Sequence, residues 1–180
     1  ALGGFLFILA FGAILSFPCS GYLADKFGAV KISKIMAFLC LTVFVCLPLA
    51  YNLIFFGLFL FLFGAFNGAL DISMNVWASE LQKRYKKQIL SSLHAMFSLG
   101  AGIVAVLGFS AAYAGMSIQA NFYLGAFSLI PALVLILRSG WRSDIKRSKA
   151  FFSQFAVPKK PLIGVGTIAF CSSLGEGGVA

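Results

Sequence analysis

Acidic residues are nearly missing from this sequence: 180 residues carry five Asp and Glu and a single His. Titratable groups this few and this scattered argue against the clustered carboxylates and imidazoles of a metal-dependent intramembrane enzyme. Cysteine is sparse too. Cys19, Cys40, Cys46 and Cys171 stand apart in apolar runs, with no Cys-x-x-Cys pair and no His at ligand spacing. They read as small buried hydrophobes, so neither a metal site nor a redox pair is expected. Soluble-enzyme motifs are absent: no Gly-x-Gly-x-x-Gly after a strand, no phosphate-binding loop, no His-Glu-x-x-His and no Gly-x-Ser-x-Gly. No cofactor is expected. The chain also lacks an initiator Met and the basic flank of a signal peptide. It starts at Ala1 and stops at Ala180 inside apolar runs, which predicts a piece of a longer protein.

What is present is apolar. Hydrophobic residues make up 61% of the chain, Phe alone contributes 21 and Gly 19, and mean hydropathy is +0.98. A soluble domain of this length needs more polar surface than that to cover its core. Bulky apolar side chains with frequent Gly suit helices packed in lipid. The fold class predicted is all-α, a polytopic transmembrane bundle.

A helix needs about 20 residues to cross about 30 Å of hydrocarbon. Residues 1–24 carry no charge and make one span. The uncharged run from Ile35 to Leu70 is too long for one crossing, and Leu47-Pro48-Leu49-Ala50-Tyr51-Asn52 supplies the break. Gln88 to Leu137 repeats the pattern and divides between Ala114 and Asn121. The spans predicted are 1–24, 32–50, 53–79, 90–113 and 120–137, with a sixth from 161 to 180. Of the 14 basic residues, three fall between Lys26 and Lys34, four in Lys83–Lys87 and seven between Arg138 and Lys160. Two spans separate each basic connection from the next, so all three share one face, and the positive-inside rule makes that face cytoplasmic. The net charge of +9 then needs no nucleic-acid partner; the basic loops set orientation beside the lipid bilayer. In 138–160, Trp141, Ile145, Phe151, Phe152 and Phe155 interleave with Lys and Arg, which fits either an amphipathic interfacial helix or a plain linker.

After the first span comes Gly21-Tyr22-Leu23-Ala24-Asp25-Lys26-Phe27-Gly28-Ala29-Val30-Lys31. Two glycines bracket an acid and a base in a very short turn. This resembles the signature loop between the second and third helices of the major facilitator superfamily, of the form GxLADrxGrrk. Gly21, Leu23, Ala24, Asp25, Lys26, Gly28 and Lys31 match it, and Ala29 and Val30 depart from its basic positions. The resemblance implies that the six segments are helices two to seven of a twelve-helix transporter. Residues 1–137 are then the first half without its first helix, 138–160 the central cytoplasmic linker, and 161–180 the start of the second half. It also implies a monomer, a small-molecule solute as partner, and a cytoplasmic gate formed with Gly21, Asp25, Lys26, Gly28 and Lys31.

Polar residues inside the spans are the candidate site. Asn67, Asp71 and Asn75 stand four apart and so follow one stripe of a helix, as do His94, Ser98 and Gly102 on the next. A charge at membrane depth costs about 2.5–3.5 kcal/mol on insertion scales and usually faces a cavity or the bundle interior. Counted from the shared Lys83–Lys87 connection, Asp71 and Asn75 lie twelve and eight residues before it, and His94 and Ser98 seven and eleven after it, so the two helices carry polar groups at similar depth. A hydrogen-bonded helix contact, eased by Gly64 and Gly68, is the other reading of that stripe. The stretch from Asn67 to Gly102 is similar to the sugar-permease-like branch around the fucose–proton symporters and the MosC/YbjJ-like proteins. Asp71 and Asn75 match that branch's acid-then-Asn on helix four, and His94, Ser98 and Gly100 its His-x-x-x-Ser-x-Gly. The resemblance implies proton coupling at Asp71, with His94 a second candidate for the proton and Asn67, Asn75 and Ser98 candidates for the solute. Glu176, among Gly175, Gly177 and Gly178, resembles helix seven of the same branch and is a third coupling candidate.

The function expected is proton-coupled symport of a sugar- or polyol-like solute in a bacterial inner membrane. A drug or metabolite exporter of the same superfamily and a non-transporting relative are the alternatives, with an intramembrane enzyme behind them.

Overall fold

The computed structural model describes residues 2–141, 143, 163, 164 and 167. Residues 1–148 form one unit and 149–180 another. In the first unit lie five helices: α1 (Leu2–Phe27), α2 (Ala29–Cys46), α3 (Leu53–Tyr85), α4 (Leu90–Tyr113) and α5 (Ile118–Arg138). Each is long and apolar enough to cross a membrane, and the protein is an integral membrane protein. In the second unit, Ile163, Gly164 and Thr167 are helical; the rest of the expected sixth span, with Glu176, lies outside the described residues.

Local chemistry places the breaks. Pro48 opens a single 3-10 turn, Leu47–Leu49, and Asn52 then starts α3 by accepting a hydrogen bond from the Phe55 N–H at its side-chain oxygen, 2.9 Å away. Ser117 does the same for α5, accepting from the Ala120 N–H at 3.2 Å, after a turn at Gly115 with φ 80°. Helix α4 is preceded by Ile89, which offers no capping side chain. Its first N–H groups, on Ile89 and Leu90, are met instead by the Gln82 side-chain oxygen of α3, at 3.3 and 3.4 Å.

Two boundaries differ from the sequence reading. The first basic connection shrinks to Gly28 alone, between α1 ending at Phe27 and α2 starting at Ala29. Lys31 and Lys34 therefore ride on the opening turns of α2 instead of a loop. Helix α3 does not stop at residue 79 but runs 33 residues to Tyr85. At 1.5 Å per residue it is about 50 Å long and projects beyond about 30 Å of hydrocarbon. Lys and Arg are good helix formers, and once solvated they give the backbone no reason to stop. The helix ends where Lys86 takes a left-handed conformation, φ 52°.

Helix α1 packs most intimately against α3, at a seam of small residues. A methyl group on Gly64 would run into the Leu9 carbonyl, and one on Gly12 into the Phe61 carbonyl. One on Gly68 would lie 2.9 Å from the Ala13 Cα. With no hydrophobic drive between helices in lipid, this close backbone approach supplies the packing. The rings of Phe5 and Phe56 close the same seam edge to face, centroids 5.1 Å apart. Helix α2 joins α3 through a buried hydroxyl chain: Ser33 donates to Ser73 at 3.0 Å, and Ser73 donates to the Leu70 carbonyl at 3.0 Å. Helix α4 stands apart. It buries no residue and touches α5 through the Asn121 amide, which donates to the Gly108 carbonyl at 3.2 Å.

A candidate solute and proton site between two spans

Asp71 and Asn75 follow one another by a helical turn on α3, and the Asn75 amide donates to an Asp71 carboxylate oxygen at 3.3 Å. Facing them across a cavity of about 350 Å³ is α4, which contributes His94 with Leu93, Met96 and Phe97. Met74 and Ala78 complete the α3 wall. The turn at residues 86–89 folds α4 back beside α3, so residues at equal distances from that turn meet. Asn75 and His94, eight and seven residues from Lys83–Lys87, thus meet at one cavity, with Asp71 one turn further along α3. Chemically the cavity offers an acid, a neutral amide held against it and an imidazole, in a mainly apolar surround. That set can bind a polar group and exchange a proton.

The remaining candidates fall elsewhere. Ser98 is one turn further along α4, exposed and outside this cavity. Asn67 lines a different crevice of about 260 Å³, between α2, α3 and α5, among Cys40, Phe44, Phe63 and Leu133. A four-residue repeat overshoots one turn by about 40°, so Asn67 is swung about 40° from Asp71 and about 80° from Asn75, toward the other crevice.

At the basic end, Gly28 has φ 91°, a conformation that Gly adopts freely and L-residues with a Cβ do not. Its N–H bonds the Ala24 carbonyl at 2.9 Å and its carbonyl accepts from Ile32 at 3.2 Å, joining both helices across a single residue. Lys26 turns toward two aromatic rings. Its ammonium lies 3.4 Å from the Tyr22 hydroxyl and 5.4 Å from the centroid of the Phe27 ring. Lys31 approaches the same ring at 5.8 Å, so two cations share one aromatic face region. Gly21 and Asp25 lie half-buried on the last turns of α1.

Sequence reasoning missed Lys34, Arg84, Trp141 and Ser143 as partners at this end. Lys34 donates to the carbonyls of Leu137 and Ser139 at 3.0 and 2.6 Å. Ser143 accepts from the Val30 N–H at 2.9 Å. The Arg84 guanidinium lies 4.7 Å from the centroid of the Trp141 ring. Nothing in the local pattern signals these contacts, because each links residues far apart in the chain.

No solved structure matches the chain. Among curated proteins it is 34% identical to an uncharacterised transporter, y4wD, of Sinorhizobium fredii, over 98% of this chain and 47% of that protein. It is 34% identical to the membrane protein MosC of Rhizobium meliloti, over 99% of this chain and 43% of that protein. It is 26% identical to an uncharacterised MFS-type transporter of Yersinia pestis, over 98% and 46%. The chain thus spans less than half the length of these relatives. The sequence model of the Major Facilitator Superfamily matches residues 1–175. With that match over nearly its whole length, the chain belongs to the Major Facilitator Superfamily.

Proposed function

We propose that this chain is part of a proton-coupled secondary transporter that moves a small polar solute, sugar- or polyol-like, by alternating access. The carrying observation is the α3–α4 cavity, which gathers Asp71, Asn75 and His94 within otherwise apolar spans. A carboxylate at that depth is costly and is kept where it has work with an ion or a solute. Family membership and relatives named as transporters support transport over enzymatic chemistry.

In this reading Asp71 takes up and releases the proton. Asn75 holds the charged carboxylate by its 3.3 Å hydrogen bond and loses that partner's charge when the acid is protonated. His94 accepts or passes the proton across the cavity, while Ser98, Asn67 and Glu176 contact solute or proton elsewhere along the path. The Gly21–Lys31 turn belongs to the cytoplasmic gate, and the three basic connections face the cytoplasm of a bacterial inner membrane. The transporter works as a monomer.

The test uses vesicles containing the full-length transporter and a panel of sugars and polyols, with external pH recorded. One compound should alkalinise the medium, and Asp71→Asn should abolish the signal while the protein remains in the membrane. Undiminished solute-driven alkalinisation in that variant would remove Asp71 from coupling.

A second reading, export of an amphiphilic drug or metabolite, is favoured by the cavity walls. Met74, Leu93, Met96 and Phe97 give it a soft apolar lining that suits adaptable binding better than sugar recognition. Silence across the sugar panel, with proton-driven efflux of a lipophilic cation, would establish this second reading.

A further inference from the structure

Helix α2 begins one residue after the Gly28 turn, and Gly28 has no side chain with which to cap it. Helix N-termini leave N–H groups that need an acceptor from somewhere. Here the acceptor comes from a residue 113 positions downstream: the Ser143 hydroxyl, 2.9 Å from the Val30 N–H. The same turn of α2 returns the service. Lys34 places its ammonium on the carbonyls of Leu137 and Ser139, where α5 ends and its dipole is negative. Between these two contacts lies Trp141, against Arg84 at 4.7 Å and the Tyr85 ring at 6.2 Å, on the last turn of α3.

These contacts enclose a cavity of about 360 Å³ beside Gly28 and Lys31. It is no vacant anion site. The Val30 N–H and the Lys34 ammonium, the groups an anion would seek, are already engaged.

We propose that Ser139, Trp141 and Ser143 form a clasp: Ser143 caps α2, Ser139 is capped by Lys34, and Trp141 anchors on the end of α3. The clasp holds the first turn of α2, and with it the Gly28 turn, in place from just beyond α5. Whatever moves the segment after α5 therefore loosens or tightens the Gly28 turn. A break at Ser143 opens α2 at its first residues and leaves the α3–α4 cavity untouched.

The experiment uses the full-length transporter with its native cysteines replaced and one cysteine placed at Ala29, which is fully buried (0% exposed) beside the turn. Labelling by a membrane-impermeant maleimide is timed. Ser143→Ala should speed labelling about fivefold, the opening expected when a helix cap is lost. Ser143→Thr keeps the hydroxyl and should hold the original rate. Equal rates in the Ala variant and the parent, or the same rise with Thr, would overturn the proposal. A second measurement follows Trp141 emission in a background where every other tryptophan of the full-length transporter, Trp77 included, is replaced by Phe. Arg84→Ala should increase quenching by acrylamide, and unchanged quenching would overturn the anchor on α3. Neither measurement reads transport, so the clasp and the proposed symport stand or fall separately.

Discussion

Ser33 of α2 donates its hydroxyl hydrogen to Ser73 of α3 at 3.0 Å, with the two residues 1% and 0% exposed. Ser73 is two residues beyond Asp71, so this bond sets the rotation of α3 that turns Asp71 toward α4. Removing one hydroxyl leaves the other buried without its partner. Ser33→Ala and Ser73→Ala should each destabilise the bundle, with a coupling of about 0.6 kcal/mol, the mean for such bonds between membrane helices. A double-mutant cycle on thermal unfolding in detergent measures it. Strict additivity of the two substitutions would show that the hydroxyls do not work as a pair.

The glycines divide sharply by position. Gly64→Ala and Gly68→Ala drive a methyl group into the backbone of α1 and should cost about 1–3 kcal/mol, the usual range for overpacking. Gly100 and Gly102 on α4 have nothing within 4 Å of an added Cβ. Alanine there should stabilise the helix by up to about 1 kcal/mol through propensity. Melting temperatures of the four variants decide the matter; a fall at Gly100 matching that at Gly64 would contradict the exposed face of α4.

Backbone conformation predicts a pair of opposite signs. Gly28→Ala forces a Cβ into a conformation with φ 91° and should destabilise by about 1–2 kcal/mol. Lys86→Gly relieves the left-handed Lys86 at φ 52° and should stabilise by about 0.5–1 kcal/mol, the ordinary advantage of Gly at the residue ending a helix. Protease resistance and melting of both variants check the signs together.

Gln82→Ala removes the acceptor that meets the first two N–H groups of α4. A loss of about 1 kcal/mol is expected, comparable to deleting a conventional cap. Gln82→Glu keeps an acceptor and adds a charge favourable to the helix N-terminus, so it should recover most of the loss. Hydrogen exchange at Ile89 and Leu90 reads this locally, and protection unchanged in the Ala variant would refute the cap.

Much of the architecture was legible because charge and chain-breaking residues punctuate an otherwise apolar text. Pro48 and Asn52 marked the first hairpin, and counting from Lys83–Lys87 placed Asn75 and His94 at one depth, where they line one cavity with Asp71. What periodicity could not carry was angle: the drift of a four-residue repeat sends Asn67 to a separate crevice. Nor could charge alone mark helix ends, since α3 continues through Lys83 and Arg84 to Tyr85. The clasp was invisible for a simpler reason. Trp141 stood out as one aromatic among basic residues, but a hydroxyl that caps a helix 113 positions away leaves no local trace.

The length of α3 has a mechanical consequence. One unbroken rod carries Asp71 near its middle and Arg84 at its tip, thirteen residues or about 20 Å apart. Tilting such a rod by 10° about Asp71 sweeps the tip through about 3.4 Å, nearly the width of an atom and enough to part Arg84 from Trp141. The helix is a lever, with its fulcrum at the cavity acid and its basic tip beyond the hydrocarbon.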